Sequence, residues 1–176
     1  MRSFRSGAPT SVMRTGGTGS FLIAALEAHP ALTGTVWELP ETAKIAQTRL
    51  QAASLSTRAR ALAGDALADP VPSGHDAILV ANFLHLFAPE QTRELLRRLR
   101  EASDDRALLL LVDFWTDETH TSPAFAALMA GEFLLMGGHG DVYSVDEVQT
   151  WLDDTGWTSI QHRPLAGPQT LIIARG

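Results

Sequence analysis

From residue 11 onward, short apolar runs alternate with longer stretches in which apolar positions recur every three to four residues. That alternation is the pattern of βαβ units wound around a mostly parallel sheet. TSVMR (10–14) reads as a first strand, and GSFLIAALEAHP (19–30) as a helix that opens at a glycine turn and stops before Pro30. GTVWEL (34–39) reads as the second strand, followed by the helix PETAKIAQTRLQAASL (40–55) with Pro40 in its first turn. ARALAGD (59–65) is a short third strand. HDAILVANFL (75–84) is apolar enough for a strand buried on both faces. In APEQTRELLRRLREAS (88–103), Leu95, Leu96 and Leu99 form one apolar stripe and arginines cover the remainder. RALLLLVDFW (106–115) is another buried strand. SPAFAALMAGEFLLMGG (122–138) is a mostly apolar helix, either core or the wall of a pocket. SVDEVQTWLDDTGW (144–157) opens on Ser144 with Glu147 three residues on, a capping box. TSIQHRPL (158–165) and QTLIIAR (169–175) read as a terminal antiparallel hairpin.

The expected fold is therefore α/β, a seven-stranded sheet with helices on both faces. Residues 1–10, polar with Gly and Pro, read as a flexible leader, and 11–176 as one domain without a dividing linker. Hydrophobic content of 45% and charged content of 19% fit a globular chain of 176 residues. A net charge of −6 argues against nucleic acid and anionic membrane as partners, since both call for a basic face. No apolar run reaches the length of a membrane span. The chain has no cysteine, which removes disulfides and thiolate metal sites and fits an intracellular, cytoplasmic location.

Candidate chemistry gathers at the ends of the expected strands. Gly16, Gly17 and Gly19 would let the backbone approach a ligand, and the helix start behind them offers unpaired N–H groups. A plain tight turn would use the same letters. Glu38 ends the next strand about twenty residues on, where Rossmann-like folds set an acid on ribose hydroxyls, or it is simply an exposed strand-end acid. Asp65 could accept from an adenine amino group or cap a turn. His85 follows the long buried strand, at the end where open α/β sheets bind ligands. It is suited to take a proton near neutral pH, or it caps the next helix or packs on Phe87. Asp113 ends the following strand and would orient that histidine, or it only starts a loop. DETH (117–120) and HGD (139–141) sit in polar loops without a convergent third ligand, so no metal is expected. Met129, Phe133, Leu134 and Met136 have the spacing of core residues and could also line a pocket.

With those residues in view, the chain resembles the catalytic domain of class I S-adenosylmethionine-dependent O-methyltransferases. The similar group is the small-molecule family of caffeic-acid, acetylserotonin and bacterial antibiotic-tailoring type. GGTGSF resembles the family's glycine motif, TVWELPET its TVFDLP segment and AGDAL its GDxF segment. NFLHLFAPEQTRELLRRLREA resembles the segment with the family's catalytic histidine, and GHGDVYSVDEVQTWLDDTGW with RPLAGPQTLIIAR its C-terminal end. A dinucleotide dehydrogenase would account for the first two segments only.

The resemblance implies a Rossmann-like methyltransferase fold and S-adenosylmethionine as cofactor, with S-adenosylhomocysteine as product. Gly16, Gly17 and Gly19 would line its methionine part, Glu38 beside Leu39 its ribose, and Asp65 beside Ala66 its adenine. Ala81 and Asn82 would flank it. His85 matches the general base that deprotonates a hydroxyl of a small aromatic acceptor. Asp113 matches an acid that steadies the base, and Asp141 lies near a second such acid.

The sequence also departs from the family. Met13 stands where an Asp is usual, Arg14 follows it inside the strand, and Thr15 replaces the first glycine. Leu86 replaces an Asp often found after the histidine. Family members usually carry an N-terminal dimerisation domain, and the chain begins about where that domain would end, so the expected readings are a truncated product, a stand-alone catalytic domain or a subunit completed by another chain. The implied partners are therefore a homodimer mate or another chain that completes the site. A methyltransferase-like partner subunit without activity, and the same fold turned to non-methylating chemistry, are the alternatives.

Overall fold

β1 (Ser11–Thr15) is the strand around which the chain winds in both directions. In this computed structural model, which describes residues 11–138 and 140–176, β1 pairs in parallel with β2 (Thr33–Glu38) on one side and β4 (Ala77–Ala81) on the other. β3 (Ala59–Ala63) extends the sheet beyond β2, and β5 (Leu108–Asp113) beyond β4, all parallel. β7 (Thr170–Arg175) and β6 (Thr158–Pro164) close the far side antiparallel, giving the order β3-β2-β1-β4-β5-β7-β6. The expected leader, residues 1–10, lies outside the described residues.

Alternating side chains of β1 explain the two-sided core. Met13 joins Ile78, Val80, Leu109 and Leu111 against α3 (Pro89–Glu101) and α5 (Val145–Asp154). The leucine stripe Leu95, Leu96 and Leu99 is fully buried there, as its spacing predicts. Val12 joins Val36 and Ala77 against α1 (Ser20–Ala28) and α2 (Pro40–Ala52) on the opposite face. Each helix therefore buries one stripe on one face of the sheet. The capping box of α5 forms as expected: Ser144 Oγ accepts from Glu147 N at 3.2 Å, and Ser144 N donates to Glu147 Oε2 at 2.8 Å.

Two expectations change. β4 stops at Ala81 rather than running to Leu84, because Asn82 takes the left-handed conformation (φ 53°) and Leu84–Leu86 coil into a 3₁₀ turn. α4 (Ala124–Gly137) is neither core nor a buried wall along most of its length. Ala126 and Phe133 are buried, while Phe125, Leu128, Leu134, Leu135 and Met136 are exposed, Leu135 at 89%. Among the described residues, no helix is long and apolar enough to cross a membrane.

Candidate active site

The carboxyl ends of β1 to β5 meet along one edge, the crevice where open α/β sheets take ligands. The glycine turn leaves β1 there. Gly16 has φ 97°, and a Cβ on it would lie 2.2 Å from Ala81 O, so only glycine lets the turn rest on the β4 backbone. Ala81 is thereby the back wall of the turn. Gly19 caps α1 without a side-chain partner, so the first amides of that helix are available at the crevice.

Glu38 is not an exposed strand-end acid. It is buried, and Oε1 accepts from Gly16 N at 2.7 Å and Gly17 N at 2.5 Å, while Oε2 accepts from Leu39 N at 3.1 Å. A carboxylate has about four acceptor positions, so Oε2 retains room for a further donor.

Arg14 is 3% exposed and does not reach bulk water. Its Nη1 donates to Gly17 O at 2.8 Å, and its guanidinium carbon sits 5.6 Å from the centre of the Phe21 ring. Its Nε is buried without a hydrogen-bond partner. Burial pushes the guanidinium down to about 10, against the opposing pull of Glu38, and it stays cationic at neutral pH. Gly17 is thus gripped at both ends of its backbone, its N–H by an anion and its carbonyl by a cation.

A cavity of about 250 Å³ opens beside Glu38, lined by Thr15, Leu39, Asp65, Ala66, Phe83, Leu86 and Phe87 among others. Asp65 is exposed, and its Oδ1 accepts from Leu67 N at 2.8 Å, holding the loop after β3 in a short turn. Asn82, by contrast, faces the hairpin: its Oδ1 accepts from Gln169 Nε2, and its N–H donates to Val112 O at 2.8 Å.

His85 and Asp113 come together as their strand-end positions predict. Nδ1 lies 2.6 Å from Asp113 Oδ1, with both side chains buried. Asp113 also accepts from Phe83 N at 3.1 Å and Phe114 N at 3.0 Å, so its carboxylate is fixed before it meets the imidazole. Nδ1 donates, and Nε2 is then the nitrogen with a lone pair. The ring stacks on Phe133, centroids 3.7 Å apart and planes 11° from parallel. Asp141 is exposed; its backbone N donates to His85 O at 3.1 Å, and its carboxylate turns to Val142 N at 2.7 Å, not to the His85 ring.

Asp117 accepts from Thr121 N at 3.0 Å and Ser122 N at 3.1 Å, backbone bonds that hold its carboxyl below the ordinary range. His120 lies 3.2 Å from Glu147. His139 lies outside the described residues. Among the described residues no group of three or more His, Asp or Glu side chains is placed to hold a metal ion.

Sequence reasoning missed Phe83 and Leu86 as cavity lining, Phe133 as the partner of His85, and Gln169. The aromatic pair around LHL was on view in NFLHLF, but its letters equally fit core. Gln169 lies 87 positions from Asn82 and carries no local signal.

A mostly parallel seven-stranded sheet with a C-terminal antiparallel hairpin, a gripped glycine turn, an acid at the end of β2 and a histidine–carboxylate pair beyond β4 defines a domain of mixed α/β class. Its family follows from comparison: the sequence model of the O-methyltransferase domain matches residues 8–158, and the chain belongs to that family. It is 35% identical over 153 residues to 3-hydroxy-5-methyl-1-naphthoate 3-O-methyltransferase of Streptomyces sahachiroi, covering 87% of this chain and 44% of that protein. It is 31% identical to the tetracenomycin polyketide synthesis 8-O-methyl transferase of Streptomyces glaucescens, covering 94% of this chain and 49% of that one. In fold it is similar to the solved structure of PigF with SAH (TM-score 0.89, 24% identity, 98% of this chain and 52% of that chain), a Serratia methyl transferase described as S-adenosyl-L-methionine-dependent. The chain spans about half the length of the relatives it matches.

Proposed function

We propose that the chain is the cofactor-binding and catalytic part of an S-adenosylmethionine-dependent O-methyltransferase that methylates a hydroxyl of a small aromatic acceptor. The buried His85–Asp113 pair beside the glycine turn is the observation that carries the reading. The residues present suit the cofactor chemically. Glu38 has acceptor room for a ribose hydroxyl, Asp65 offers an acceptor at the cavity, and Phe83, Leu86 and Phe87 give an adenine apolar surroundings. Gly16, Gly17 and Gly19 leave backbone amides for the methionine portion.

When bound, the cofactor supplies a methyl carbon already activated by its sulfonium. The chain's task is then to align the acceptor oxygen and take its proton. His85 Nε2 would take that proton. Asp113, held by two backbone amides, keeps the imidazole in the tautomer with Nδ1–H and stabilises the imidazolium that results. A cytoplasmic location belongs to this reading. His85→Ala is expected to leave S-adenosylhomocysteine binding intact and to lower methyl transfer roughly 10²–10⁴-fold; unchanged turnover would overturn the role given to His85.

The exposed apolar face of α4 favours a second element in the reading: a homodimer mate or another chain covers Phe125, Leu128, Leu135 and Met136. Light scattering across a concentration series tests it, and a monodisperse monomer with full activity would sink it.

A further inference from the structure

α4 touches the rest of the domain through few buried side chains. Ala126 and Phe133 pack with Val142, and Phe114, Met129 and Ala130 adjoin them. Most of its remaining apolar residues are exposed. Phe133 is therefore the helix's principal anchor, and what it anchors to is the His85 ring itself. The two planes are 11° from parallel at a centroid separation of 3.7 Å, a stacked contact in which neither ring can tilt without the other. The Phe114 ring stands 6.2 Å from Phe133 and 6.4 Å from His85, closing the cluster on a further side.

The loop after α4 completes the grip. A Cβ on Gly140 would lie 2.6 Å from His85 O and 3.1 Å from Phe133 Cβ, so glycine there allows the close approach. That approach lets Asp141 N donate to His85 O at 3.1 Å. His85 is fixed at three points: Nδ1 by Asp113, one ring face by Phe133, and its backbone carbonyl by Asp141 N.

We propose that Phe133 is a positioning residue for His85, setting the plane of the imidazole and coupling it to the placement of α4. Asp113 fixes where Nδ1 sits but leaves the ring free to rock about that bond. The stacked phenyl removes this freedom and sets the direction of Nε2. The inference rests on the reading of His85 as general base, and the geometry of the stack stands apart from it.

The test uses Phe133→Leu, which keeps an apolar side chain without a ring, and Phe133→Tyr, which keeps the ring. Histidine-labelled protein is observed by NMR, with the His85 signals assigned by their loss in His85→Ala. In the wild type the His85 ring proton is shifted upfield by the phenyl, and the nitrogen shifts report a single Nδ1–H tautomer. Phe133→Leu is expected to abolish the upfield shift and to leave the Nδ1–H tautomer, which Asp113 sets, in place; Phe133→Tyr keeps both. With an acceptor that is turned over, Phe133→Leu lowers kcat by up to about 10²-fold, the scale of a roughly 1 Å misplacement, while cofactor KM stays unchanged. Phe133→Tyr restores kcat. If Phe133→Leu does not fold, Phe133→Met gives the same comparison. Wild-type kcat in the ringless variant would overturn the proposal. Full turnover in His85→Ala would instead remove the general-base reading and leave the spectral result standing.

Discussion

His85 Nδ1 and Asp113 Oδ1 meet at 2.6 Å although 28 residues separate them in the chain. The meeting follows from topology. β4 and β5 are parallel neighbours, so their carboxyl ends come level, and each delivers one partner. The left-handed Asn82 then turns the chain so that Phe83 N and the His85 ring both reach the same carboxylate.

Asp113→Asn tests the electrostatic half of this contact. The amide retains the shape but loses the charge that stabilises an imidazolium. Methyl transfer is expected to fall about 10²-fold or more, with S-adenosylhomocysteine binding within a factor of about two. Initial rates beside calorimetric titration separate the two quantities. Equal rates in variant and wild type would deny Asp113 its role.

Arg14 offers a prediction about stability. It is a buried cation with an unpaired Nε, and Glu38 already holds three backbone amides without it. A buried guanidinium with an unbonded Nε carries a desolvation cost that an apolar side chain of similar length avoids, and the three backbone amides on Glu38 keep that carboxylate compensated without it. Arg14→Met is therefore expected to match or exceed the wild-type urea midpoint at an unchanged slope. A clear fall in midpoint would show that the guanidinium's bond to Gly17 O outweighs its desolvation.

The glycine turn should be unequal in its tolerance. Gly16 and Gly17 both have positive φ, which costs an alanine on the order of 1–2 kcal/mol. At Gly17 the added Cβ meets only the end of the Arg14 side chain, at 3.6 Å, whereas at Gly16 it runs into the Ala81 carbonyl at 2.2 Å. Gly16→Ala is expected to lower the thermal midpoint well beyond Gly17→Ala. Equal midpoints would mean that the turn does not rest on β4 as described.

Much of this was legible in the chain itself. The apolar periods give the seven strands and five α-helices of the described residues in order, because all of them except α4 bury a stripe or face of their own sequence. His85 and Asp113 were readable as strand-end residues once the strands were placed. What escaped was set by tertiary contact. The strand expected through Leu84 ends at Ala81 because the pull of Asp113 on Phe83 N is non-local. Arg14 looked out of place, since its answering groups, Gly17 O and Glu38, depend on how the turn folds back. α4 has the letters of a core helix and lies exposed; nothing in its period tells a face packed within the domain from one left outside it.

We propose that the crevice between the glycine turn, Glu38 and Asp65 takes an adenosyl cofactor. Calorimetric titration of the folded chain with S-adenosylhomocysteine tests it most directly, with Glu38→Ala in parallel. The wild type is expected to show one site with micromolar affinity, weakened at least about tenfold, or about 1.4 kcal/mol, in Glu38→Ala. A folded, monodisperse wild-type chain that gives no heat of binding would contradict it.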